Sequence, residues 1–247
     1  MATRHDRAWP LRSNVRERAI VTKALRDPSP ARQSKVGAIA PRETAAVVEL
    51  LAELFSSRIR AVLLTFLIPR LDKRFSLTEL ARELDTPISS LQHECYKLER
   101  LGILIGRREA GSRRYRVAVG TPVTDALIHL VVTTIGVEHA LREAFAATTG
   151  LEGALIAASP DPGSGGALHL VLIGDLALEQ VQATLVLVAR LSGHQPEAIE
   201  LAFFQPADWR SHHDQGHPVV RRLLDLPILV AFGLALGRLD RDGQGRS

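Results

Sequence analysis

The chain has 247 residues, 46 % of them hydrophobic, with 31 Lys and Arg against 27 Asp and Glu and a single cysteine. That length accommodates two ordinary domains with separate cores. The longest apolar runs, such as "ILVAFGLALG", fall short of the about 20 residues a membrane span needs. The lone Cys95 excludes an internal disulfide framework and fits a reducing compartment.

The first residues lack the apolar core of a secretory signal, so a cytoplasmic protein with no membrane partner is expected. Charge is unevenly spread. Residues 1–40 hold nine Lys and Arg against three Asp and Glu, and residues 41–120 hold fourteen against ten. Residues 121–247 reverse the balance, eight against fourteen. A polyanion is therefore expected to bind the front half.

In chain order, residues 1–40 read as a basic, flexible arm, with "RERAIVTKAL" open to a short helix. "TAAVVELLAELF" and "SSRIRAVLLTFLI" both have helical spacing, as two helices or one broken near Ser56–Ser57. "SLTELARELDTPISSLQHECYKLERLGIL" then reads as helix, turn, helix. Ser76 and Glu79 form a capping box. Asp85-Thr86-Pro87 breaks the helix, and Ser89 or Ser90 is expected to cap the second helix. Its inner face is expected to be Leu91, Cys95, Leu98 and Leu101, with Gly102 at the C-terminal cap. "ILIGRRE" and "RRYRVAV", joined by "AGS", form a hairpin carrying Arg107, Arg108, Arg113 and Arg114.

This order is that of a winged helix over residues 41–120. Ser89, Ser90, Gln92, His93, Tyr96 and Lys97 point outward, and such a helix enters a major groove while wing arginines reach phosphates. Gln92 suits a bidentate contact to adenine. Residues 121–149, opening "PVTDALIHLVVTTIGVEHALREAFAAT", read as one amphipathic connector with Leu127, Leu130, Val131, Thr134, Val137, Leu141 and Phe145 on its stripe. Packing between domains and pairing with a second copy are both open to it. Residues 150–236 alternate: "GALIAAS", "ALHLVLIG", "AIELAFFQ" and "ILVAFG" as strands, "LEQVQATLVLVARLSG", "PADWRSHH" and "HPVVRRLLDL" as helices. The expected class is α+β: an N-terminal winged helix-turn-helix, a long connecting helix and a small C-terminal α/β domain with a mixed sheet. Residues 237–247 read as a flexible tail.

The stretches "LFSSRIRAVLLTFL", "FSLTELARELDTPISSLQHECYKLERLGIL", "RRYRV", "LVLIGD" and "HPVVRRLLDLPILVAFG" together resemble bacterial and archaeal transcriptional regulators. These join an arsenical-repressor-like winged helix to a minimal nucleotidyltransferase-like domain. The resemblance runs from about Leu54 to Gly233. It implies a Gly-Ser turn at Ala158-Ser159, an acidic pair at Ala167 and His169, and a third acid at Glu200. In active members the three acids hold Mg²⁺ on a triphosphate. Here only Ser159 and Glu200 keep suitable chemistry, which implies a degenerate, catalytically silent domain used for sensing or assembly.

The expected function is therefore a nucleoid-associated, double-stranded DNA-binding transcriptional regulator acting as a homodimer, with no cofactor and no bound metal. A nucleotide or protein ligand at the C-terminal domain stays open. "PDPGSGG" reads first as a connecting loop and second as a metal-free phosphate cradle. His212, His213 and His217 in "HHDQGH" read as helix-end residues, with His217 capping the next helix, ahead of a metal site. Cys95 reads as a small core residue. The competing functions are an active nucleotidyltransferase and an antitoxin or adaptor that binds protein.

Overall fold

The computed structural model describes residues 41–158 and 168–233, with side chains from residue 45 onward. The basic arm 1–40, the loop "PDPGSGG", Ser159, Ala167 and the tail 237–247 lie outside the described residues. The class is α+β, as expected.

Helix α1 (Pro41–Phe55) and α2 (Arg58–Leu67) are separate helices. Ser56 takes a positive φ of 51° between them, and Ser57 caps α2 by accepting from the Arg60 N–H. A 3-10 turn (Ile68–Arg70) leads to the short strand β1 (Phe75–Ser76) and α3 (Leu77–Leu84). The capping box is formed: the Glu79 N–H donates to Ser76 Oγ at 3.3 Å, and the Ser76 N–H donates to Glu79 Oε2 at 2.7 Å. Asp85 ends α3 in the left-handed conformation.

Helix α4 (Ile88–Arg100) follows, then β2 (Leu104–Glu109) and β3 (Ser112–Val117). Neither serine caps α4. Pro87 stands at the N-cap, and its carbonyl accepts from the N–H groups of Ser90 and Leu91. The ring already holds φ at −56°, so the first turn forms without a side-chain cap. Gly102 closes the other end at φ +71°, with the Ile103 N–H returning to the Leu98 carbonyl at 2.9 Å.

The inner face of α4 differs from the expectation at one position. Leu91, Cys95 and Leu98 are fully buried, but Leu101 is 64 % exposed. The helix ends at Arg100, so Leu101 leaves the helical stripe, and Glu94 takes the fourth inward place at 5 % exposure.

The expected single connector is two helices, α5 (Pro122–Ile135) and α6 (Val137–Ala146). Gly136, at φ +89°, breaks them, a conformation that side-chain-bearing residues rarely adopt. Val131, Leu141 and Phe145 of the expected stripe are buried, whereas Leu130 lies off the inner face that Thr124, Ile128, Val131 and Val132 make, and Val137, the first residue after the break, is exposed. Strands β4 (Leu151–Ala158), β5 (Leu168–Gly174), β6 (Ile199–Phe204) and β7 (Ile228–Gly233) form a mixed sheet in the order β6-β5-β4-β7. Only β5 and β6 run parallel, joined by α7 (Leu178–Ser192); α8 (Pro206–Asp214) and α9 (Pro218–Asp225) connect β6 to β7.

The sheet is covered on both faces. Leu168, Leu170 and Leu172 share one face, within a buried cluster that continues through α5–α7 to Leu64, Leu80 and Leu98 beneath the helix-turn-helix. Val171, Ile173, Leu155 and Ala157 share the other with Trp209 and Val220 of α8 and α9. One of the two buried clusters thus spans both halves, while the second lies wholly within the C-terminal half.

Candidate nucleic-acid interface

The outer face of α4 follows from its inner one. With Leu91, Glu94, Cys95 and Leu98 inward, helical geometry turns Ser89, Gln92, His93 and Tyr96 to the surface. All four are exposed, Tyr96 at 57 %, and Ser90 is half-buried. Together with Glu99, Arg113 and Tyr115 they line a recess of about 550 Å³ between α4 and the β-hairpin.

Two carboxylates lie on α4, and both are engaged internally. Glu94 accepts from Arg60 Nε of α2 at 3.0 Å and from Lys97 Nζ at 3.1 Å. Burial pushes its carboxyl upward, but the hydrogen bonds from Lys97 and Arg60 outweigh that and hold it below the usual carboxylate range. Glu99 accepts from Arg113 Nη2 at 2.6 Å and from the Gly106 N–H at 3.2 Å, joining the helix to the wing. Glycine leaves room for this pair: a Cβ at position 106 would lie 2.8 Å from Glu99 Oε1 and 2.7 Å from Arg113 Nε, so those side-chain ends would have to shift.

The four wing arginines fall into two classes. In the antiparallel register Arg108 opposes Arg113, and Arg107 opposes Arg114, so each pair shares one face of the hairpin. Arg113 is bound to Glu99, and Arg114 donates to Glu79 Oε1 at 3.0 Å and to the Arg74 carbonyl at 2.9 Å. That pairing and, first of all, the Ser76 N–H hold Glu79 below the usual carboxylate range. Arg107 and Arg108 are exposed, and neither is bound to a carboxylate among the described residues. Lys97 is half-buried and tied to Glu94, so it braces the helix rather than projecting freely.

Cys95 is fully buried, and burial, aided by Glu94 and Glu99, pushes its thiol up to about 12. A thiol held protonated is a poor nucleophile and metal ligand, consistent with a core residue.

In the C-terminal sheet, parallel register sets His169 of β5 beside Glu200 of β6, with Nδ1 3.1 Å from Oε2. His169 is half-buried and the Glu200 side chain is 71 % exposed. His217 does cap α9, accepting from the Val219 N–H at 3.4 Å. Among the described residues no three His, Cys, Asp or Glu side chains converge as metal ligands. No described helix is long and apolar enough to cross a membrane.

No family model matches the chain, and no curated protein does. Among solved structures it is similar to reduced HlyU from Vibrio cholerae N16961, 25 % identical over 37 % of this chain and 92 % of that one, with a TM-score of 0.28. A second structure of HlyU from the same organism is also 25 % identical, over 38 % and 96 % of the two chains, with a TM-score of 0.27.

The sequence pattern did not reveal Glu99, Gly106, Tyr115 or the Arg60–Glu94 pair. Each depends on a partner in another element, 34 residues away in the case of Arg60.

The Glu94 network has a measurable acid signature. Because the folded carboxyl titrates below its ordinary value of 4.5, its contribution is complete above that pH and fades as pH falls through the folded value. Glu94→Gln should cost roughly 1–3 kcal/mol at neutral pH in urea unfolding, and the gap to wild type should narrow below about pH 4. A gap independent of pH would mean that the ionised carboxylate is not the stabilising species.

Proposed function

We propose that the chain is a transcriptional regulator that binds double-stranded DNA through α4 and the β2–β3 wing. One observation carries the reading. The outward face of α4 presents hydrogen-bonding side chains with both of its carboxylates compensated, beside a wing whose Arg107 and Arg108 are bound to no carboxylate among the described residues. DNA supplies what these groups lack: phosphate counter-charges for Arg107 and Arg108, and hydrogen-bonding base edges for Ser89, Gln92 and His93. Tyr96 flanks this surface, with the Arg100 guanidinium 5.8 Å from its ring centre. Lys97, Arg113 and Arg114 act mainly by holding the helix and wing in register.

A homodimer fits the same reading, since two-fold proteins read paired half-sites. Leu50 and Leu54 support it: they lie one turn apart on α1 and are 61 % and 58 % exposed. The C-terminal domain serves assembly or sensing rather than nucleotide transfer. What supports this is the imidazole of His169 in the place where the resemblance calls for an acid, already paired with Glu200. One exposed carboxylate beside an imidazole does not make a two-Mg²⁺ centre.

Two measurements bear on these readings. The double variant Arg107→Ala, Arg108→Ala should weaken duplex binding in a shift assay and lower the slope of log K against log salt by roughly two. Arg113→Ala with Arg114→Ala should change that slope less, and equal slopes in all three proteins would remove the wing from the interface. Incubation with labelled nucleoside triphosphates and Mg²⁺ should transfer nothing to DNA, tRNA or the chain itself. Transfer that Glu200→Ala abolishes would make the domain an enzyme.

A further inference from the structure

Behind the helix-turn-helix, away from the α4 surface, lie two adjoining recesses of opposite character. The first, about 500 Å³, is within the range of small-molecule sites. Val47, Val62, Phe66, Leu84 and Ile135 make its apolar wall, drawn from α1, α2, α3 and α5. The second, about 390 Å³, is lined by five cationic side chains, each already paired with a carboxylate: Arg70 with Glu143, Lys73 with Asp72, Arg74 with Glu109, Arg82 with Glu83 and Arg114 with Glu79, so an incoming anion shares these cations rather than finding them bare.

Phe66 and Arg70 line both. Arg70 is the hinge between the two characters. Its guanidinium carbon stands 4.3 Å from the centre of the Phe66 ring, Nη1 donates to the Phe66 carbonyl at 2.9 Å, and Nη2 donates to Glu143 Oε2 at 2.6 Å. The side chain is held on three sides and only 17 % exposed, so its charge is fixed at the boundary.

We propose that these recesses form one binding site for an amphipathic organic anion. An aliphatic or aromatic body fills the apolar recess, and its carboxylate or phosphate meets Arg70 and the cationic recess beyond. The apolar recess gains by removing a hydrocarbon surface from water. A neutral apolar guest leaves the cationic side unused. A small inorganic anion leaves the apolar side unused. Glu143, His139 and Thr65 also line the apolar recess, and Glu143 already takes one donor of Arg70, so the ligand anion shares the guanidinium rather than replacing the pair. Leu84 of α3 lies in the wall, so the site borders the first helix of the helix-turn-helix. The binding itself does not depend on the DNA reading, and the test below uses no DNA.

Calorimetric titration of the full-length protein with decanoate, decyl phosphate and decanol tests the assignment. Both anions should bind saturably at one site, and decanol at least about tenfold more weakly, the worth of one charge-assisted contact. Arg70→Gln should weaken both anions about tenfold and leave decanol unchanged, while Arg70→Lys, which keeps the charge, should stay within about threefold of wild type. Val62→Trp, which fills the apolar recess, should abolish all binding. The proposal is overturned if neither anion binds saturably, if decanol binds as tightly as decanoate, or if Arg70→Gln and Arg70→Lys behave alike. Decanoate affinity unchanged in a folded Val62→Trp protein would also overturn it.

Discussion

Helix α4 carries two carboxylates, and its surface suits a polyanion only if neither is left uncompensated. The structure compensates both. Glu94 turns inward, where Arg60 and Lys97 neutralise it, and Glu99 turns sideways, where Arg113 and the Gly106 N–H do the same. The two contacts also fix the position of the helix: Glu94 ties it to α2, and Glu99 ties it to the wing. A buried carboxylate of this kind is costly to leave unpaired, so the pairing partners are under as strong a constraint as the acid itself. The same chemistry that neutralises the helix therefore aligns the two parts of the candidate interface.

In the C-terminal half the sheet residues are fixed by packing on both faces. Leu168, Leu170 and Leu172 on one face and Val171 and Ile173 on the other are needed by two cores. His169, near the start of β5, alternates onto the same face as Val171 and Ile173, at a position where the resemblance to nucleotidyltransferase-like domains implies an acid. The core that includes Leu170 continues without a break to the helix-turn-helix. The continuity, together with the recesses around Arg70 in the same region, makes the connector helices α5 and α6 part of the body of the protein rather than a hinge.

Most of the local structure was legible because its causes are local. The Ser76–Glu79 capping box, the turn at Gly102 and the hairpin about Ala110-Gly111 each need only neighbouring residues, and each formed. Periodicity misassigned Leu101 because it cannot see where a helix stops, and it passed over Glu94 because the cation that permits its burial lies in α2. Pro87 displaced the serine cap for a reason visible in the sequence, its fixed φ. Gly136 was equally visible as a break, since glycine within a helix costs about 1 kcal/mol relative to alanine. The division of the wing arginines was not legible: it depends on Glu79 and Glu99, which only the fold brings to Arg114 and Arg113.

The surface assigned to DNA is open to direct observation by titrating the isotopically labelled protein with a duplex selected from random sequence and following its amide resonances. The account expects the largest shifts at residues 88–97 and 105–114, growing as salt is lowered. Shifts confined to residues 151–233, with α4 and the wing undisturbed, would contradict it.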